Sequence, residues 1–135
     1  MPEWVIRGKL ARGCRPGYTG EKGAPVLRAS VDQWLAEVKG FGVRSVICLL
    51  ADDQLTLYDD VPGGLVPYYE AAGLQVAHVP ARDRKSPPLS SDQMEAAWRH
   101  YQRLPKPVLI HCSAGVDRTG AAVAHITAML RDEFS

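Results

Sequence analysis

Apolar positions along the chain fall into short aliphatic runs and longer one-faced stretches, and the two kinds alternate. The runs "VRSVICLL" at 43–50, "LQVAHVP" at 74–80 and "VLIH" at 108–111 are nearly continuous and of strand length. That pattern predicts strands buried on both faces of a largely parallel sheet. "WVIRGKLARG" at 4–13, with Trp4, Ile6 and Leu10 in loose alternation, predicts an edge strand or hairpin.

Between these runs the spacing turns helical. Ser30 and Gln33 form a capping box ahead of Val31, Trp34, Leu35 and Val38, and Gly40 stops the helix. "LVPYYEAAG" reads as a short helix with Pro67 in its first turn and Gly73 past its end. Ser90 and Gln93 make a second capping box, with a Leu89 to Met94 staple and one face of Met94, Ala97, Trp98, Tyr101 and Leu104. "TGAAVAHITAMLRDEF" is apolar nearly all round, which predicts a helix packed centrally under a sheet. "GCRPGYTGEKGAP", "ADDQLTLYDDVPGG" and "ARDRKSPP" read as loops, the second with room for one helical turn. Strands alternating with helices give an α/β fold: one largely parallel central sheet of four to five strands flanked by helices.

Composition narrows the field. A chain of 135 residues makes one domain able to bury roughly two thirds of its unfolded surface. Sixteen basic and fifteen acidic residues, spread evenly for a formal charge of +1, leave no footprint for nucleic acid. No window of about 18 residues is continuously apolar, and "MPEWVIRGKL" lacks a signal-peptide core, so membrane insertion is not expected and the reading is cytoplasmic. Cys14, Cys48 and Cys112 lie far apart, which excludes a disulfide framework and a structural zinc site.

The chemistry concentrates in "LIHCSAGVDRTGAA" at 109–122, where a strand runs through a tight loop into a helix. Such a junction presents unpaired backbone amides and the positive end of the helix dipole, an anion cradle. Ser113, Ala114, Gly115, Val116 and Asp117 form its wall. Gly115 lets successive amides turn inward, Gly120 allows close packing of helix on strand, and Arg118 supplies a planar fork for two phosphate oxygens. Cys112 sits at the mouth, where amides, dipole and guanidinium all favour the thiolate, a nucleophile in line for phosphorus. His111 is expected to turn away and orient the loop, and the Thr119 hydroxyl to donate to sulfur.

His111-Cys112, five residues, then Arg118-Thr119-Gly120 resembles the signature of the cysteine-dependent protein tyrosine phosphatase superfamily. "GKLARGCRPG", "FGVRSVICLLADD" and "AAGLQVAHVPARD" follow the order of its compact dual-specificity-like members. The resemblance implies a phosphatase acting through a phosphocysteine, without metal or cofactor, on a phosphorylated protein (phosphotyrosine, then phosphoserine or phosphothreonine) or a small phosphate ester. It departs in two ways. The chain ends soon after the last helix, where relatives add another helix or two, leaving a truncated piece, a minimal domain or a homodimer that covers the gap; and no separate phosphotyrosine-recognition segment is evident.

Phosphoryl transfer to a thiolate expels an alkoxide or phenolate, which calls for an acid. Asp83, just after "LQVAHVP" and at the same sheet edge as the Cys loop, occupies a position resembling the family's general-acid loop. Arg82, Arg84 and Lys85 work against its protonation and read either as substrate attraction or as a solvated basic turn. Asp52 or Asp53 is the runner-up; Asp59 and Asp60 read as loop carboxylates. Asp117 is expected to point outward, and it resembles the acidic residue of some inositide-directed members or else makes a solvent-side salt link.

Two readings compete with protein dephosphorylation: a phosphoinositide or inositol phosphate phosphatase, and a catalytically silent phosphate-binding module. A sulfurtransferase fits Thr119-Gly120 less well. Cys48 reads as a buried apolar residue, against a resolving thiol for Cys112 that needs neighbouring strands. Arg12 and Arg15 read as solvated, His78 and His125 as satisfied core histidines, and Trp34 and Trp98 as packing.

Overall fold

The structure, a computed structural model, describes residues 2–21 and 23–133. Strands β1 (Glu3–Ile6) and β2 (Leu10–Gly13) form an antiparallel hairpin. Strands β3 (Ser45–Cys48), β4 (Gln75–His78) and β5 (Val108–His111) join β2 in parallel, giving the order β1-β2-β5-β3-β4. All four residues of β3 and of β5 are buried, as their nearly continuous aliphatic runs predict.

Two helical layers enclose the sheet. Helices α1 (Arg28–Gly40) and α3 (Leu65–Ala71) bury Trp34, Leu35, Leu65 and Tyr69 against Ala11, Val46, Cys48 and Leu109. Helices α4 (Ser91–Arg103) and α5 (Asp117–Glu133) bury Trp98, Tyr101, Ala122 and Ile126 against Leu10, Ile47 and Ile110. Strand alternation divides the two sets, and each fully buried aliphatic side chain contributes roughly 1.5–3 kcal/mol. Helix α2 (Asp52–Leu55), followed by a 3-10 turn over Thr56–Tyr58, fills the connection after β3.

Register sets the site. Gly13 pairs with His111 and Cys48 pairs with His111, so β2, β5 and β3 end level. The segments leaving those ends, together with the loop after β4, meet at one edge of the sheet.

Two details differ from the sequence reading. The second capping box is present, with Gln93 N–H donating to Ser90 Oγ (3.1 Å) and Ser90 N–H to Gln93 Oε1 (2.8 Å). The first is not: α1 starts at Arg28, and Arg28 N–H is taken by Asp60 Oδ2 at 2.8 Å. A carboxylate from a distant loop supplies the cap, so the helix extends past Ser30. Helix α5 is also not buried all round. Arg118, Thr119, Ala122, Val123 and Ile126 are buried, whereas Ala124 and Ala128 are exposed, because α4 and the sheet cover one face only.

Candidate active site

The loop from Cys112 to Arg118 is fixed from behind by buried groups. His111, wholly buried at the end of β5, donates through Nδ1 to the Cys112 carbonyl (3.0 Å) and accepts the Tyr69 hydroxyl at Nε2 (3.0 Å). Burial brings the His111 imidazolium down to about 4; the Cys112 carbonyl bond opposes this, while Arg118 and Arg15 add to it. The ring is therefore neutral at physiological pH, with the tautomer set by these two bonds. Burial also pushes the Tyr69 hydroxyl well above its usual range, which keeps it a donor.

Three carbonyls of the loop are tied to β2 and the segment after it. Arg12 Nη2 donates to Gly115 O (2.8 Å) and Val116 O (3.2 Å), and Arg15 N–H donates to Ser113 O (2.9 Å). With carbonyls held on that side, the peptide amides are turned toward the other. Gly115, at φ +79°, is the point of closest approach: a Cβ there meets Gly13 O at 2.4 Å. Gly120 has no such role. A Cβ there meets Arg12 Nη2 at 3.5 Å, an ordinary contact, so tight packing of helix on strand does not require this glycine.

Arg118 is 2% exposed and pinned through one nitrogen. Its Nη1 donates to Ala81 O (2.7 Å), Gln54 Oε1 (2.8 Å) and Leu49 O (3.2 Å). Its Nη2 lies 3.5 Å from Asp83 Oδ1 and makes no hydrogen bond. Asp83 Oδ1 accepts Arg84 N–H at 2.9 Å, and Arg84 adopts φ +59°. The Thr119 hydroxyl is buried without a hydrogen-bond partner, so the expected bond to the Cys112 sulfur is not made in this structure.

These placements bring Ser113, Asp83, Gln54 and Asp53 around a cavity of about 410 Å³, rimmed by Arg15, Arg82 and Arg84. Cys112, 3% exposed, and Arg118 are not part of that lining: Cys112 is next to Ser113 in sequence, and Arg118 Nη2 lies 3.5 Å from Asp83. Ala114, Val116 and Asp117 are exposed on the outer side of the loop, with Asp117 in the first turn of α5. Of the runner-up acids, Asp53 lines the cavity and Asp52 does not.

Sequence reasoning missed five residues: Tyr69, in a helix given no part in the site, and four more. Gln54 and Tyr58 lay in a segment read as loop; Arg15 and Arg12 were read as solvated. Arg15 is 2% exposed, and Arg12 spends its guanidinium on loop carbonyls. The one available signal was the polar, aromatic pattern of "DDQLTLY" following a buried strand. Cys48 does lie on a neighbouring strand, but it faces the α1 and α3 layer while Cys112 joins the α4 and α5 layer. Burial pushes the Cys48 thiol up to about 12. Among the described residues no group of three or more His, Cys, Asp or Glu is placed to hold a metal ion, and no helix is long and apolar enough to cross a membrane.

A five-stranded, mostly parallel sheet with flanking helices, carrying this Cys-to-Arg loop ahead of α5, defines a compact dual-specificity-like enzyme of the cysteine-based phosphatase superfamily. Within that class the chain belongs to the family described as Tc-R-P, polymorphic toxin system, DSP-PTPase phosphatase, whose model matches residues 22–130. No curated protein matches the chain. Among solved structures, Tk-PTP in a mutant form shares 22% identity at TM-score 0.68, over 97% of this chain and 73% of that one. Kinase associated phosphatase (KAP) shares 22% identity at TM-score 0.66, over 93% and 68%. The core catalytic domain of the PP-IP phosphatase SIW14 from S. cerevisiae shares 18% identity at TM-score 0.61, over 98% and 72%. At these identities the likeness is one of fold.

Proposed function

We propose that the chain hydrolyses phosphate monoesters through a phosphocysteine formed on Cys112. The observation that carries this reading is the buried Arg118, held by three acceptors through Nη1 while Nη2 makes no hydrogen bond. A phosphate oxygen that takes Nη2 displaces Asp83 from the guanidinium and frees it to carry a proton. The Cys112 sulfur then attacks phosphorus, the P–O ester bond breaks, and Asp83 protonates the leaving oxygen. Water attacks next, giving its proton to the Asp83 carboxylate; the S–P bond breaks and inorganic phosphate leaves. In this reading the Thr119 hydroxyl, buried without a partner, turns to donate to the departing sulfur, and neutral His111 keeps the loop carbonyl fixed.

The substrates we assign first are phosphotyrosine side chains, then phosphoserine and phosphothreonine, within the polymorphic toxin setting of the family's description. One observation favours a second reading, an inositol phosphate or phosphoinositide. The cavity carries Arg15, Arg82 and Arg84 and no aromatic residue among its described lining, a surround suited to further phosphates rather than to a phenyl ring. Two proteins of similar fold fit that reading by name, SIW14 as a PP-IP phosphatase and PTPMT1 in complex with PI(5)P. Phosphate release from phosphotyrosine and phosphothreonine peptides and from phosphoinositides, by wild type and Asp117→Gly, separates the two. Preference for inositides that falls in Asp117→Gly supports the second; preference for peptides supports the first. No release from any of them, with the protein folded, contradicts both.

A further inference from the structure

The segment after β2 holds a second buried guanidinium that the steps above do not use. Arg15 is 2% exposed, and among the described residues no carboxylate pairs with it. Its Nε donates to Ser113 Oγ (3.2 Å), its Nη1 to the Tyr58 hydroxyl (3.1 Å), and its backbone N–H to Ser113 O (2.9 Å). Tyr58 in turn donates to Pro16 O (2.7 Å), and burial pushes that hydroxyl up to about 12, so its oxygen remains a neutral acceptor. A cation enclosed by neutral acceptors is costly unless an anion joins it. Arg15 and Ser113 both line the cavity.

We propose that Arg15 is a positioning residue for the bound phosphoryl group, acting through Ser113 and through its own uncompensated charge. Because Arg15 Nε–H occupies a lone pair on Ser113 Oγ, the Ser113 proton is directed to another acceptor, and the cavity is where an anion supplies one. Tyr58 keeps the guanidinium from swinging away. The charge of Arg15 then adds to that of Arg118 at a phosphate, in surroundings that screen it less than water does. This inference rests on the phosphatase reading for the reaction, but it concerns binding of the oxyanion.

The test uses inorganic phosphate as probe, titrated calorimetrically into Cys112→Ser, where turnover does not interfere. Adding Arg15→Gln to that protein weakens phosphate about tenfold, and adding Arg15→Lys, which keeps the charge, about threefold. Ser113→Ala also weakens binding, and its combination with Arg15→Gln costs less than the product of the two, since one chain of bonds is removed twice. Unfolding midpoints measured on each protein separate a looser fold from a weaker site, and if Arg15→Gln does not fold, Arg15→Lys and Ser113→Ala carry the comparison. Equal phosphate affinity with and without the Arg15 change, or full multiplicativity with Ser113→Ala, overturns the proposal. Arg15-dependent binding without wild-type turnover leaves it standing and overturns the phosphocysteine reading instead; a Cys112→Ser protein that binds no phosphate overturns both.

Discussion

Two loops meet at the carboxyl edge of the sheet, and they are held by opposite means. The loop from Cys112 to Arg118 is anchored by hydrogen bonds and close packing: buried His111 to the Cys112 carbonyl, part-buried Arg12 and the Arg15 amide to loop carbonyls, Gly115 against Gly13. The loop from Ala81 to Pro88 exposes Arg82, Arg84 and Lys85, and among its contacts Asp83 faces Arg118 by charge and accepts Arg84 N–H. In the proposed mechanism the firmly held loop is the one that binds phosphate, where misplacement by a fraction of an ångström is expensive. Asp83, the acid of that mechanism, lies 3.5 Å from Arg118 Nη2, where a change of charge at the guanidinium can move it. A nucleophile must be in place before substrate arrives, whereas an acid paired with a guanidinium must be released by it.

The contrast can be broken at either loop. The largest effect is expected at Asp83: Asp83→Asn lowers kcat by about 100- to 1000-fold on alkyl phosphates and far less on nitrophenyl phosphate, whose leaving group needs little help. Equal losses on both substrates contradict the role of acid. Gly115→Ala comes next, because its Cβ meets Gly13 O at 2.4 Å from a backbone at positive φ. We expect a loss of about 2–4 kcal/mol in urea denaturation, with turnover falling in parallel.

His111 supplies a pH test of the anchored loop. Its folded value near 4 lies below the ordinary 6.5, so between those values the unfolded chain binds the extra proton. Stability from this group is present above pH 6.5 and falls by about 3 kcal/mol as pH drops through 4. Denaturation at pH 7 and pH 4.5 is expected to show a flatter dependence for His111→Gln than for wild type; identical slopes contradict the assignment. The smallest effect is at Cys48: with its thiol raised to about 12 and facing the other layer, it resists alkylation at pH 8, and Cys48→Ala leaves turnover unchanged.

Much of the anchored loop was legible because it is written locally. The strand "VLIH", the loop glycine and the Cys-to-Arg spacing are consecutive, and periodicity gave the strands and helices around them. What supports the loop was not, since Arg12, Arg15, Gln54 and Tyr69 reach it or His111 across 42 to 104 residues of sequence, a separation no local pattern records. The start of α1 failed for the same reason: its cap comes from Asp60, 32 residues away. Burial around α5 was overestimated from composition alone, because small apolar residues such as Ala124 and Ala128 fit an exposed helix face as well as a core.

The proposed mechanism requires the phosphoryl group to pass through the Cys112 sulfur. Rapid acid quench during turnover of a nitrophenyl phosphate, followed by mass spectrometry of the peptides, tests it most directly. One added phosphoryl group is expected on the peptide containing Cys112, lost once substrate is exhausted and absent in Cys112→Ser, which releases no phosphate. Phosphate release retained in Cys112→Ser, or a phosphoryl group trapped on any other residue, contradicts it.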